Sequence, residues 1–92
     1  MSSKFITADF IGKFIALKER KANVQIKHLL YGNQKMNRCV LHPFVDGERI
    51  GLTIEDEEKY ITMDELCDVY IDDTKCFFKS DVMELYIDYF IL

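Results

Sequence analysis

Apolar residues recur along this chain with two different periods. Phe10, Ile11, Phe14, Ile15 and Leu17 form one stripe at 3.6 residues per turn, with Asp9, Lys13, Ala16 and Arg20 opposite. Thr7 can cap such a helix. Asp9 lies near its positive end, and Lys18, Arg20 and Lys21 near its negative end. The pattern predicts a helix from Thr7 to about Arg20, which Gly12 weakens by up to about 1 kcal/mol relative to Ala. A strand over 10–18 is the alternative.

From Val24 onward the period is two. Val24, Ile26, His28 and Leu30 alternate with Gln25 and Lys27, which predicts a strand over 24–31 followed by a loop at Gly32-Asn33-Gln34-Lys35. Asp46-Gly47 marks a hairpin turn. Folded there, Pro43 faces Ile50, Leu41 faces Leu52 and Cys39 faces Ile54, all on one apolar side. Pro43 cannot donate to a ladder, so its strand is an edge strand or bulged. Glu55–Glu58 reads as an acidic turn and Lys59–Met63 as a short strand.

The C-terminal half carries one pattern twice. Asp68-Val69-Tyr70-Ile71-Asp72 and Glu84-Leu85-Tyr86-Ile87-Asp88 each place acid, tyrosine and acid on one side. Cys67, Val69 and Ile71, or Met83, Leu85 and Ile87, fall on the other. Turning at Asp73-Thr74 pairs Ile71 with Cys76 and Val69 with Phe78. On the opposite face it pairs Asp72 with Lys75, Tyr70 with Phe77 and Asp68 with Lys79. The unit is strand, tight turn, strand, made over 60–71 and again over 76–87, with Asp64-Glu65-Leu66 as the first turn. The capping box Thr62-x-x-Glu65 supports an alternative with short helices at 63–72 and 81–90. Acids at the C-terminal end of such a helix, and strand-preferring Val69-Tyr70-Ile71, argue for strands.

One helix followed by short antiparallel strands, with a one-turn break before a terminal strand, resembles the SH3-like and Sm-like small barrels over about 24–71. The second acid–tyrosine–acid copy extends beyond such a five-strand barrel, so the pattern as a whole predicts an α+β fold, one N-terminal helix packed on a strongly curved antiparallel sheet of six to seven short strands. The glycine and asparagine signatures of Sm RNA-binding loops are absent, so the likeness carries over no RNA-binding residue.

Ninety-two residues, nearly half of them apolar and without Pro/Gly-rich linkers, make a single domain over 1–92. The first residues lack the apolar core of a signal peptide, and no apolar run is long enough for a membrane span. Three cysteines without Cys-x-x-Cys spacing read as reduced, buried thiols of a cytoplasmic protein. The net charge of −4 hides a split. Residues 1–45 hold eight Lys/Arg and two Asp/Glu, and residues 46–92 hold four and fourteen, giving +6 and −10.

No constellation of residues points to catalysis. Cys39-x-x-His42 with Cys67 and Cys76 offers zinc-type ligands, but residues three apart on a strand point to opposite faces. The carboxylate pairs Asp64/Glu65, Asp68/Asp72 and Glu84/Asp88 are the ordinary dress of a solvated sheet face. No metal or cofactor is expected. His28 reads as a core or half-buried histidine.

Two binding surfaces remain. Asp68, Tyr70, Asp72, Glu84, Tyr86 and Asp88 form an acidic, tyrosine-bearing face suited to a basic protein partner, in a regulatory or inhibitory role without catalysis. Lys75 and Lys79 lie across from the first copy, which leaves Glu84, Tyr86 and Asp88 as the half expected to be recognised. The alternative is nucleic-acid binding by Lys13, Lys18, Arg20, Lys21, Lys27, Lys35 and Arg38, against which the sequence pI of about 5.1 weighs. Self-association is expected through the edge near Pro43 or the apolar C-terminal tail.

Overall fold

The structure is a computed structural model that describes residues 6–90. It is an α+β fold of one helix and two antiparallel sheets. Helix α1 spans Ala8–Ile15. Strands β1 (Lys21–His28), β2 (Gly32–Val40), β6 (Leu66–Ile71), β7 (Lys75–Ser80) and β8 (Met83–Asp88) form the larger sheet in the order β2-β1-β8-β7-β6. Strands β3 (Pro43–Asp46), β4 (Arg49–Ile54) and β5 (Glu57–Thr62) form the smaller sheet in sequence order. Eight strands in two sheets thus replace the expected single sheet of six or seven. The helices considered over 63–72 and 81–90 are strands β6 and β8, apart from one tight turn at Met63–Glu65.

The Thr7 hydroxyl accepts the Phe10 N–H, which starts α1 where the cap predicts. Phe14 is fully buried and meets Phe78 of β7 edge-on, ring centroids 5.0 Å apart, and Phe10 meets the same ring at 5.6 Å. The helix ends at Ile15, short of Arg20, because the chain then turns into β1. The Leu17 N–H donates to the Phe14 carbonyl and the Arg20 N–H to the Leu17 carbonyl. One face of the larger sheet supplies Ala22, Val24, Ile26, Cys76, Phe78, Leu85, Ile87 and Tyr89 to a core completed by Ile50, Leu52 and Ile61 of the smaller sheet.

Strand β1 begins earlier than expected and ends at His28. Leu29, Leu30 and Tyr31 form an exposed turn, in which the Leu30 and Tyr31 N–H groups donate to Nδ1 of His28. Gly32–Lys35, read as a loop, is the start of β2. This outermost strand buries almost nothing, so its sequence lacks an apolar alternation. It bulges opposite Asn23, with Arg38 at φ +55° and its N–H donated to the Asn23 side chain.

The β3–β4 register differs from the expected one by two residues. Pro43 faces Leu52 and Asp46 faces Arg49, leaving Gly47-Glu48 as the loop. Positive φ is confined to Gly47, the first loop position, as a type II′ turn requires. A two-residue slip preserves parity, so Ile50, Leu52 and Ile54 still point to the core. Cys39 belongs to β2 and does not pair with Ile54. Strand β3 is an edge of the smaller sheet, with Pro43 at its first position, where a missing N–H is tolerated.

The β6–β7 register is the expected one: Asp68–Lys79, Val69–Phe78, Tyr70–Phe77 and Ile71–Cys76. Cys67 departs from expectation. It is the extra residue of a bulge between Leu66 and Asp68, and it is exposed rather than on the core face. Of the three thiols only Cys76 is buried, and Cys39 is half-buried. In β8, Leu85, Ile87 and then Tyr89 are buried as the alternation predicts, and Ile91 lies outside the described residues.

At Gly51 the β4 backbone passes so close to β5 that a Cβ would lie 2.0 Å from the Lys59 carbonyl oxygen and 2.6 Å from the Tyr60 Cα. Both obstacles are backbone and cannot rotate away. Gly51→Ala is therefore expected to cost about 2–4 kcal/mol by strand displacement. Gly12→Ala, where a Cβ meets nothing within 4 Å, is expected to stabilise the helix by about 0.5–1 kcal/mol. Urea unfolding of the two variants beside the parent measures both.

Candidate functional site: the outer face of the five-stranded sheet

Alternation sends every second residue of β6, β7, β8 and β1 away from the core, and the register lines these residues up in rows across the sheet. The middle row runs Tyr70, Phe77, Tyr86, Gln25, Lys35. One flanking row runs Asp68, Lys79, Glu84, Lys27, Asn33. The other runs Asp72, Lys75, Asp88, Asn23. All six residues of the predicted acidic face thus share one surface.

The middle row is a continuous aromatic strip. Tyr70 stacks on Phe77 at 5.5 Å with 16° between the planes, and Phe77 meets Tyr86 at 5.9 Å and 48°. Each tyrosine is pinned to a carboxylate on its own strand. The Tyr70 hydroxyl donates to Asp72 and the Tyr86 hydroxyl donates to Glu84, both at 2.7 Å. These bonds raise the pKa of both phenols, so both are neutral donors at neutral pH. The β6 and β8 strands run parallel with β7 between them, so the two hydroxyls reach toward opposite flanking rows.

Asp72 also orders the turn that follows it. Besides the Tyr70 hydroxyl, it accepts the Thr74 and Lys75 N–H groups and the Thr74 hydroxyl. The Tyr70 bond first, and these others after it, hold the Asp72 carboxyl well below the usual carboxylate range. Behind the turn, the Tyr89 hydroxyl reaches the Asp72 and Lys75 carbonyls, and the Arg20 guanidinium lies 4.6 Å from the centre of the Tyr89 ring. Burial pushes the Tyr89 phenol pKa up, so it stays neutral in this position.

The lysines between the acids fall otherwise than sequence pairing suggests. Lys79 leans toward Glu84, at 3.8 Å, and no ion pair joins it to Asp68. Its ammonium lies 4.9 Å from the Phe77 ring centre and 5.6 Å from that of Tyr86, which Lys27 also approaches at 5.3 Å. Lys75 neighbours Asp88 as well as Asp72. The second acid–tyrosine–acid copy, expected to lack neutralising partners, has them. The first copy, on the outermost strand, is the open one: Tyr70 is 41% exposed, and no cation lies over its ring among the described residues.

Toward β2 the face dips into a shallow hollow of about 360 Å3 floored by Phe77 and Tyr86 and rimmed by Gln25, Asn37, Lys35 and Lys75. The smaller sheet has an outer cluster too, but it is closed on itself. Arg49 is held between the Phe44 and Tyr60 rings and bonds Asp46 at 2.7 Å and Glu58 at 2.9 Å.

The seven cations of the nucleic-acid alternative are spread over several elements. Lys13 pairs with Asp9 on α1 and Arg20 covers Tyr89. Lys18 and Lys21 flank the α1–β1 connection, and Arg38 sits in the β2 bulge. Lys27 and Lys35 stand in the rows beside the aromatic strip, and Lys21 lies farther along the outward side of β1. The Cys67 thiol faces the Asp81 carboxylate at 3.3 Å, which raises its pKa and keeps it protonated. The buried Cys76 thiol is pushed up to about 12. No three His, Cys, Asp or Glu side chains are grouped to hold a metal ion among the described residues, and no described helix is long and apolar enough to cross a membrane. No family model, curated protein or solved structure matches the chain.

The Asp72 bonds give a pH signature. A carboxylate whose folded-state pKa is depressed stabilises the fold above its unfolded value of about 3.9 and loses that contribution as pH falls below it. Asp72→Asn is expected to be less stable than the parent at pH 7, with the difference shrinking as pH drops below about 4. Urea midpoints of both proteins across that range measure the closing gap.

Proposed function

We propose that this chain is a small non-catalytic interaction module, regulatory or inhibitory in role, whose outer sheet face binds a basic segment of a protein partner. One observation carries the reading. The face already gathers ammonium groups over its rings at Phe77 and Tyr86, while the equivalent position at Tyr70, with Asp68 and Asp72 on either side, is open among the described residues.

A lysine or arginine from a partner would gain on Tyr70 what Lys79 gains on Phe77. Such a contact contributes about 0.5–1 kcal/mol at an exposed site. The neighbouring carboxylates add attraction and orientation. The tyrosines are held in place before any partner arrives, so little side-chain freedom is lost on binding. A partner occupying the face would act by blocking or displacing, with no covalent step.

The test is affinity capture with mass spectrometry, using the parent and an Asp68→Lys/Tyr70→Ser double variant. The expected result is a basic protein whose capture falls by about tenfold or more with the double variant and weakens with salt. Lys13→Glu, on the helix, is expected to leave it unchanged. Capture of the same protein undiminished by the folded double variant would refute the reading. Retention on DNA resin, lost on Lys27→Glu/Lys35→Glu and kept on Asp68→Lys/Tyr70→Ser, would favour the nucleic-acid alternative.

A further inference from the structure

We infer that the partner segment binds by adding itself as a further strand along the free edge of β6, and that it is extended with basic and apolar residues in alternation. This rests on the interaction reading above and gives it a mode of engagement.

Strand β6 ends the larger sheet. The Asp72 N–H donates to the Lys75 carbonyl, which fixes the phase of the β6–β7 ladder. Asp68, Tyr70 and Asp72 therefore turn their backbone groups toward β7. Val69 and Ile71 turn theirs outward, two N–H and two C=O groups. No described residue bonds to that side. The Val69 and Ile71 side chains lie on the core face yet are only half-buried, whereas Leu85 and Ile87 of β8 are 0% and 1% exposed. Among the described residues, both the ladder and the apolar layer are unfinished at this edge.

Of the other outer strands, β2 and β3 are protected, and β5 carries its acids already paired, Glu57 with Lys59 and Glu58 with Arg49. Strand β2 is broken by its bulge at Arg38 and offers little apolar surface. Strand β3 opens with Pro43 and is four residues long. Strand β6 is guarded by charge instead. Between residues 64 and 73 lie Asp64, Glu65, Asp68, Asp72 and Asp73, with no Lys or Arg. A second β6 laid antiparallel would set Asp68 against Asp72, so the edge repels its own copy.

A basic strand meets the opposite situation. Its cations would fall beside Asp68, Tyr70 and Asp72 on the outer face, and its apolar residues would cover Val69 and Ile71 on the inner one. The Cys67 bulge limits the free ladder to 68–72, so the recognised core is about five residues, basic at its first, third and fifth positions.

Three synthetic peptides test this with the parent protein: alternating Lys-Val, alternating Glu-Val, and Lys-Val N-methylated at every second residue. Binding is followed by amide chemical shifts and hydrogen exchange. The Lys-Val peptide is expected to bind and to slow exchange of the Val69 and Ile71 amides by about tenfold or more. The Glu-Val peptide is expected not to bind. N-methylation of the amides that would face β6 is expected to weaken binding by about tenfold or more. Val69→Pro removes an N–H that donates to no described residue and is expected to abolish the exchange protection at Ile71. If that variant fails to fold, the N-methyl comparison decides with the parent alone.

Equal affinity of the N-methylated peptide, or shifts confined to Phe77 and Tyr86, would overturn strand addition while leaving binding across the face intact. Failure of the Lys-Val peptide to bind at all would overturn strand addition, and capture with Asp68→Lys/Tyr70→Ser then decides the face reading separately.

Discussion

The edge-on contact of Phe10 and Phe14 with Phe78 holds a two-turn helix against the five-stranded sheet. A helix of eight residues does not persist in water on its own, so α1 exists because its aromatic stripe is buried there. Phe14 and Phe78 are both fully buried, and their neighbours come from both sheets. Truncating a buried phenylalanine costs about 3–5 kcal/mol, against a total stability of roughly 5–15 kcal/mol for a domain. The core of so small a chain therefore has little to spare, and it commits the larger sheet to burying one face only.

The same strand serves both sides of that sheet. Cys76 and Phe78 of β7 point into the core, while Lys75, Phe77 and Lys79 point out between the two acid–tyrosine strands. Rigidity gained on the inner side is passed to the aromatic strip on the outer side, because the side chains alternate from one backbone. The tyrosine–carboxylate bonds and the Tyr89 clamp behind the β6–β7 turn extend that order toward the edge. Charge on the outer face is interleaved rather than massed, and the imbalance survives only at β6.

Much of this was legible along the chain, for identifiable reasons. The Thr7 cap, the Phe10/Phe14 stripe and the β6–β7 register from Asp68 onward could be read because local spacing alone sets them. In the β6–β7 hairpin, apolar pairs and opposite charges agree on one alignment. Strand β2 escaped notice because Gly32–Arg38 faces solvent on nearly every side and carries no buried period. The β3–β4 hairpin was displaced by two residues because Gly47 takes the first loop position rather than the second. The division into two sheets was hidden, since alternation tells which face a residue is on but not which strand lies beside it. For the same reason all six residues of the acidic face could be named, while the capture of Lys79 by Glu84 could not. It depends on β7 lying between β6 and β8, which sets Lys79 between Asp68 and Glu84.

That placement of β8 has a consequence for how the chain comes together. The last strand lies between the first and the seventh, pairing Val24 with Ile87 and Phe78 with Leu85. Until it is in place the larger sheet exists only as two separate hairpins, β1–β2 and β6–β7, each with half an apolar face. Closing it joins segments some sixty residues apart, a long loop whose entropy must be met in one step. On a ribosome, the nascent chain has no complete sheet until Asp88 has cleared the exit tunnel. Completion of the sheet then waits on β8, which joins the β1–β2 and β6–β7 hairpins into one surface.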